Sequence, residues 1–232
     1  MGCDIHLYVE KKNELGVWES VEEFKTEEYD DEVHYYVERK NSFYNGRNYN
    51  LFAILADVRN GRGFAGVKTG EGFNPISEPK GIPEDVSEMV EKLARQWDCD
   101  RHSHSYFTVE ELLAYDWTQT TTLWGVVSAR EYEQYDRMRN YQYGPDSYSG
   151  SVSGPSVKHV SEQEMKNLLE SIKDSRGWVD KEKLKEHTNV FTSVSWEVPY
   201  YSAAGSFLSE TIWKLLKVGS PDKVRIVFWF DN

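Results

Sequence analysis

Val224-Arg225-Ile226-Val227-Phe228-Trp229-Phe230, close to the end of a 232-residue chain, is the stretch that decides the fold. Six of its seven side chains are β-branched or aromatic, a composition too apolar for a sheet edge. The segment therefore belongs in the middle of a sheet. Near the other end of the chain, Cys3 to Glu10 alternates with period two: Cys3, Ile5, Leu7 and Val9 on one face, Asp4, His6, Tyr8 and Glu10 on the other. This is a half-buried strand and a neighbour for the C-terminal one. Asn13 to Gly16 reads as a turn, and Val17 to Val21 as the returning strand of a hairpin.

Helices are marked mainly by their starts. Thr108-x-x-Glu111, Ser128-x-x-Glu131 and Ser161-x-x-Glu164 are capping-box patterns. After Asn48 or Asn50, Leu51, Ile54, Leu55 and Val58 recur at helical spacing until Asn60-Gly61. Pro83 opens an amphipathic helix carrying Val86, Met89, Val90, Leu93 and Trp97, and a last helix runs from about Ala203 to Val218. Thr118–Val127 reads as a strand. The acidic segment 22–38 reads as surface loop, with His34 to Val37 its only strand-like piece. Residues 140–157, rich in Tyr, Gly and Ser, are expected to form a long flexible loop, a candidate lid bearing Tyr141, Tyr143 and Tyr148. Helices and strands do not alternate regularly and no repeat appears. The expected fold is α+β: one domain over residues 1–232, with a mainly antiparallel sheet whose central strands are the N- and C-terminal ones, packed by several helices.

Composition narrows the function. A net charge of −12 argues against a general nucleic-acid or anionic-membrane binder. No apolar run approaches the ~20 residues of a membrane span, and the first residues lack a signal peptide's apolar segment. Two cysteines are too few for a disulfide framework and fit a reducing cytoplasm. Against this acidic background, six basic residues between Arg39 and Lys68 face one acid, Asp57. Arg47, Arg59, Asn60, Arg62 and Lys68, with Gly61 and Gly63, present the planar donors and open backbone that suit a phosphate or carboxylate. Tyr49 and Phe64, together with Phe43 and Tyr44, could stack a base. The alternative is that these arginines pair with surface carboxylates.

Two other constellations carry chemistry. Asp4-x-His6 and His102-x-His104 would each share a strand face, and if they met they could hold Zn or Mn and activate water for phosphoester hydrolysis. Metallophosphatases also carry an Asn-His dipeptide, which this chain lacks. Cys3 or Cys99 beside a histidine would make a nucleophile, although a strand cysteine is more often a small buried hydrophobe.

The blocks MGCDIH at residues 1–6, Gly46-Arg47-Asn48-Tyr49, Asp57-Val58-Arg59, Pro79 to Asp85, His102-Ser103-His104-Ser105 and the closing FWFDN at 228–232 resemble a family of small tailed-phage proteins that carries no assigned activity. Lys80 stands where that family often has arginine. The resemblance implies expression in a bacterial host cytoplasm. Together with the arginine cluster it leads to one expectation: capture of a small phosphorylated, nucleotide-type signalling molecule, to counter bacterial antiviral defence. On that reading no cofactor is needed and a homo-oligomer is compatible. The alternatives are a metal-dependent phosphodiesterase or nucleotide hydrolase using Asp4, His6, His102 and His104, and an inhibitor whose acidic 22–38 segment contacts a host protein.

Overall fold

The computed structural model describes residues 2–29, 32–96 and 100–231. Its strands are β1 (Asp4–Lys12), β2 (Trp18–Ser20), β3 (Lys25–Tyr29), β4 (Glu32–Tyr36), β5 (Arg101–Thr108), β6 (Thr120–Ser128), β7 (Lys158–His159), β8 (Val190–Pro199) and β9 (Val224–Asp231). Its α-helices are α1 (Tyr49–Ala56), α2 (Glu88–Arg95), α3 (Val109–Ala114), α4 (Ala129–Met138), α5 (Glu162–Ser171), α6 (Lys181–Lys185), α7 (Tyr200–Ala203) and α8 (Trp213–Leu216). The architecture is α+β with mainly antiparallel pairing, arranged as two compact units: residues 1–60, 73–117 and 203–232, and residues 61–72 and 118–202.

The first unit is built on the sheet β2-β1-β9-β5, with β1 and β9 central as their composition requires. They pair antiparallel in a register that sets Ile5 opposite Phe230, Leu7 opposite Phe228 and Val9 opposite Ile226. This face takes α1, whose Phe52 ring lies 5.0 Å from that of Phe230. Leu51 to Ala56 are all buried, so α1 is a core helix, apolar on every side. The opposite face of the sheet carries Tyr8, Val227 and Trp229, which pack with Val90, Leu93 and Ala94 of α2 and with Phe24, Tyr35 and Val37. A strand covered on both faces needs no polar side, which accounts for β9.

The exception in β9 is Arg225, only 3% exposed. Its Nε donates to Glu10 at 2.7 Å and its terminal nitrogens to the Asp85 carboxylate and carbonyl at 2.7 and 3.0 Å, over the Trp18 ring. Glu10 accepts in addition from the Ser87 backbone N–H at 2.7 Å. The charge is therefore paired with two carboxylates, and the pair ties residues 85–87 to the sheet.

Several boundaries differ from expectation. Asn48 caps α1 by accepting from the Asn50 and Leu51 N–H groups, but the helix ends at Asp57, before Asn60-Gly61. Asp57 takes the left-handed conformation (φ 59°) that a terminating residue adopts, and its N–H and that of Val58 close back on Ala53 and Phe52. The helix expected from Pro83 begins only at Glu88. Its Trp97, like Asp98 and Cys99, lies outside the described residues. The acidic segment 22–38 is not mostly loop: β3 and β4 pair as an antiparallel hairpin, anchored where the Tyr35 N–H meets Gln96 at 3.1 Å. The helix expected over 203–218 is broken. Gly205 (φ 63°) interrupts it, a π-helix spans Phe207–Ile212, and α8 completes it.

The second unit holds the sheet β6-β8-β7, with β6 and β8 antiparallel and β7 joined in parallel. All three capping boxes form, at α3 of the first unit and at α4 and α5 of the second, each with reciprocal side-chain and backbone bonds. Tyr132, Tyr135, Met165 and Leu169 from α4 and α5 are buried. The free edge of β6 is covered by irregular chain, and this builds the site.

Candidate functional site

Two segments hydrogen-bond to the outer edge of β6, two residues apart. The turn that begins at Gly61 returns along Lys68 to Gly72, where the Thr69 carbonyl accepts from Trp124 N–H at 2.9 Å and Glu71 N–H donates to Thr122 at 3.0 Å. The Tyr/Gly/Ser loop arrives next to it: Val126 and Ser149 exchange backbone bonds of 2.8 and 2.9 Å. Strand spacing then forces the two segments to face one another. Between them lies a hollow of about 450 Å³, lined on one side by Gly63, Phe64, Ala65, Val67 and Thr69 and on the other by Tyr148 to Ser151.

The turn is closed by a bridge between Arg62 and Lys68 and by the Gly63 N–H bonding the Val67 carbonyl at 2.9 Å. Its tip is a single 3-10 turn over Phe64–Gly66 in which Ala65 adopts a left-handed conformation (φ 57°), a strained choice for a residue with a side chain. The result leaves Phe64 65% exposed at the rim. Arg62 Nη1 donates to the Gly66 carbonyl at 3.0 Å, and Lys68 Nζ sits 5.3 Å from the Trp124 ring centre. On the other wall, Tyr148 is held edge-on to Trp196 at 4.9 Å. Gly150 must be a glycine for the walls to close this tightly, since a Cβ there would stand 2.9 Å from Val67 Cγ1.

Of the residues expected to hold an anion, Phe64 lines this hollow, and Arg62 and Lys68 bridge each other on the same turn beside it without lining it. Arg47, Tyr49, Arg59 and Asn60 belong to the first unit and are engaged there. Arg47 grips both oxygens of Asp4, at 2.7 Å through Nε and through Nη2, and that hydrogen bond pulls the Asp4 carboxyl below its usual range. Arg59 stacks over Tyr49 at 5.2 Å and donates to the Gly2 carbonyl at 3.4 Å. The Asn60 side chain bonds both the N–H and the C=O of Phe73, at 2.7 and 2.8 Å. Arg59 also lines a shallow hollow of about 440 Å³ with Asp57, Glu78, His102 and Ser103. Three of the four described non-glycine residues with left-handed backbone, Asp57, Arg59 and Ser103, lie in it. Its lining carries two acids against one arginine, which does not favour an anion.

The expected metal set does not converge. Ser103 (φ 53°) forms a bulge in β5: His102 pairs with Phe230 and Ser105 with Phe228, three steps against two. The extra residue reverses the alternation, so His102 stacks on Phe230 at 6.0 Å on one face and His104 on Trp229 at 5.6 Å on the other. This corrects the expectation that the two histidines share a face. His6 does share the face of His104, but it lies on β1, across β9, and two strand spacings separate the pair by ~10 Å with the indole between. His6 Nε2 is bonded to Asp231 at 2.9 Å. Among the described residues no three of His, Cys, Asp and Glu are grouped to hold a metal. Cys3 is buried, and that burial pushes its thiol up, away from a reactive thiolate.

The sequence expectations do not include β7, α6, β8 or α7, and of these β8 has a clear periodic signal. Val190, Thr192, Val194, Trp196 and Val198 alternate with period two and are all buried, so the signal was present. Among the described residues no helix is long and apolar enough to cross a membrane. In comparisons with protein-family models, curated proteins and solved structures, the chain matches none.

Proposed function

We propose that the protein captures a small phosphorylated molecule of nucleotide type in the hollow between residues 61–69 and 148–151. One observation carries this: a turn that combines arginine, lysine and an exposed aromatic ring is held against the Tyr/Gly/Ser loop by a common strand edge. Phe64 offers a face for a base. Arg62 and Lys68, which flank the hollow on the same turn, supply charge for phosphate at its mouth. Thr69, Ser149 and Ser151 bring hydroxyls suited to a sugar, in a volume within the range of small-molecule sites. The resemblance to tailed-phage proteins supports a biological reading in which the captured molecule is a signal of bacterial antiviral defence.

The test is native mass spectrometry of the protein purified from bacterial cytosol, followed by calorimetry with cyclic dinucleotides and ADP-ribose-type nucleotides. Arg62→Ala and Phe64→Ala should each weaken binding at least tenfold without loss of fold. Arg59→Ala should leave affinity unchanged. If nothing co-purifies and no nucleotide of the panel binds, the proposal fails.

A further inference from the structure

A different hollow in the second unit carries an independent inference. Helix α4 turns its buried side, Ala129, Tyr132 and Tyr135, to the core. Its other side presents Arg130, Glu133, Gln134 and Arg137, spaced i, i+3, i+4 and i+7, a single helical stripe. Across from it, Lys181, Leu184, Lys185 and Thr188 repeat the same spacing through α6 and the turn after it. Both stripes line one hollow of about 480 Å³.

The charges in that hollow are the unexpected part. Four cations, Arg130, Arg137, Lys181 and Lys185, share it with one carboxylate, Glu133, in a chain whose net charge is −12. Glu133 pairs with Arg137 at 3.3 Å, and Lys185 is paired with Glu182 at 2.8 Å. Among the described residues no carboxylate pairs with Arg130 or Lys181. Two helical faces that carry the same sign toward each other repel, and acidic residues to neutralise them are plentiful elsewhere in this chain. A protein that keeps such an arrangement gains when a multivalent anion enters and bridges the two faces. Val179 and Leu184 complete the lining of the hollow.

We infer that the groove between α4 and residues 179–188 binds a compact, multiply charged oxyanion of the oligophosphate class. Arg130 and Arg137 grip it from one side through their planar forks, and Lys181 and Lys185 from the other. The ligand is a polyphosphate group, free or as the phosphate tail of a larger molecule, because a single charge would answer only one of the two unpaired cations, Arg130 and Lys181, which stand on opposite sides of the groove.

Inorganic tripolyphosphate is the probe, titrated calorimetrically into the full chain at low ionic strength, with inorganic phosphate as the low-charge control. One equivalent of tripolyphosphate should bind, at least tenfold tighter than phosphate. Arg130→Glu and Lys181→Glu, both at exposed positions, should each weaken it tenfold or more. Lys214→Glu, which changes net charge equally on α8 of the first unit, should change it less than twofold, as should Arg62→Ala. A tail on a larger molecule is distinguished by ATP: tighter binding than tripolyphosphate points to contacts beyond the phosphates, and equal binding to a free oligophosphate. Absence of tripolyphosphate binding overturns the inference, and so does an equal loss in Lys214→Glu, which would show a net-charge effect only.

Discussion

Glu22→Gln should change how stability depends on pH, by an amount that the structure sets. The Glu22 side chain turns back onto β1 where β2 ends: Oε2 accepts from the Val9 N–H at 2.9 Å and from Ser20 Oγ at 3.3 Å, while Oε1 is buried without a partner. Burial pushes the carboxyl up from 4.5 to about 7, against the hydrogen bonds that favour its charged form. The folded protein thus holds a proton that the unfolded chain releases. Below about 4.5 this group's contribution to stability is complete, and it is lost as the pH rises through about 7. Each pH unit between those values is worth about 1.4 kcal/mol. From pH 5.5 to 8.5 the ionisation of Glu22 should therefore remove on the order of 2 kcal/mol. Glutamine keeps an acceptor for Val9 and has nothing to ionise, so the variant should lose that much less over the same interval. Urea unfolding of both proteins at the two pH values reads the difference directly, and other titrating groups cancel. Equal pH dependence in the two proteins would refute the burial argument.

Arg225→Met should destabilise the protein by about 3–5 kcal/mol in denaturant unfolding, because it strands the fully buried Glu10 without its guanidinium. Ala65→Gly should stabilise by about 0.5–1 kcal/mol, relieving a left-handed residue whose Cβ makes no use of the strain; a lower melting temperature would contradict this. Gly150→Val should force the two walls of the proposed nucleotide hollow apart, so calorimetric affinity should drop while far-UV circular dichroism stays unchanged. Retained affinity would place the ligand elsewhere.

Local signals were legible where a residue's role depends on near neighbours in the chain. The three capping boxes need only a hydroxyl and a carboxylate three residues apart, and all three form. The alternation of β1 and the uniform apolarity of β9 set them as the central strands, since an edge position would waste the second face. The 61–69 turn, with its glycines and cations, and the Tyr/Gly/Ser loop were both visible as irregular, polar segments. The β3–β4 hairpin was not, because its strands are charged and gain their place by packing one face on α2.

What the tertiary structure decided is which of these pieces meet. Arg47, Arg59 and Arg62 are close in sequence, but Asp57 ends α1 early and the chain then passes into another unit, so only Arg62 and Lys68 remain beside Phe64. One bulge at Ser103 moved His102 to the face opposite His104, because strand side chains alternate with period two and a single added residue inverts the order. The basic stripe of α4 could be counted from its spacing alone, but not that Lys181 and Lys185 would oppose it. The chain by itself determined elements and their buried faces, through short-range periodicity. The meeting of side chains from distant segments rests on strand register and edge pairing, which are cooperative properties of the folded sheet.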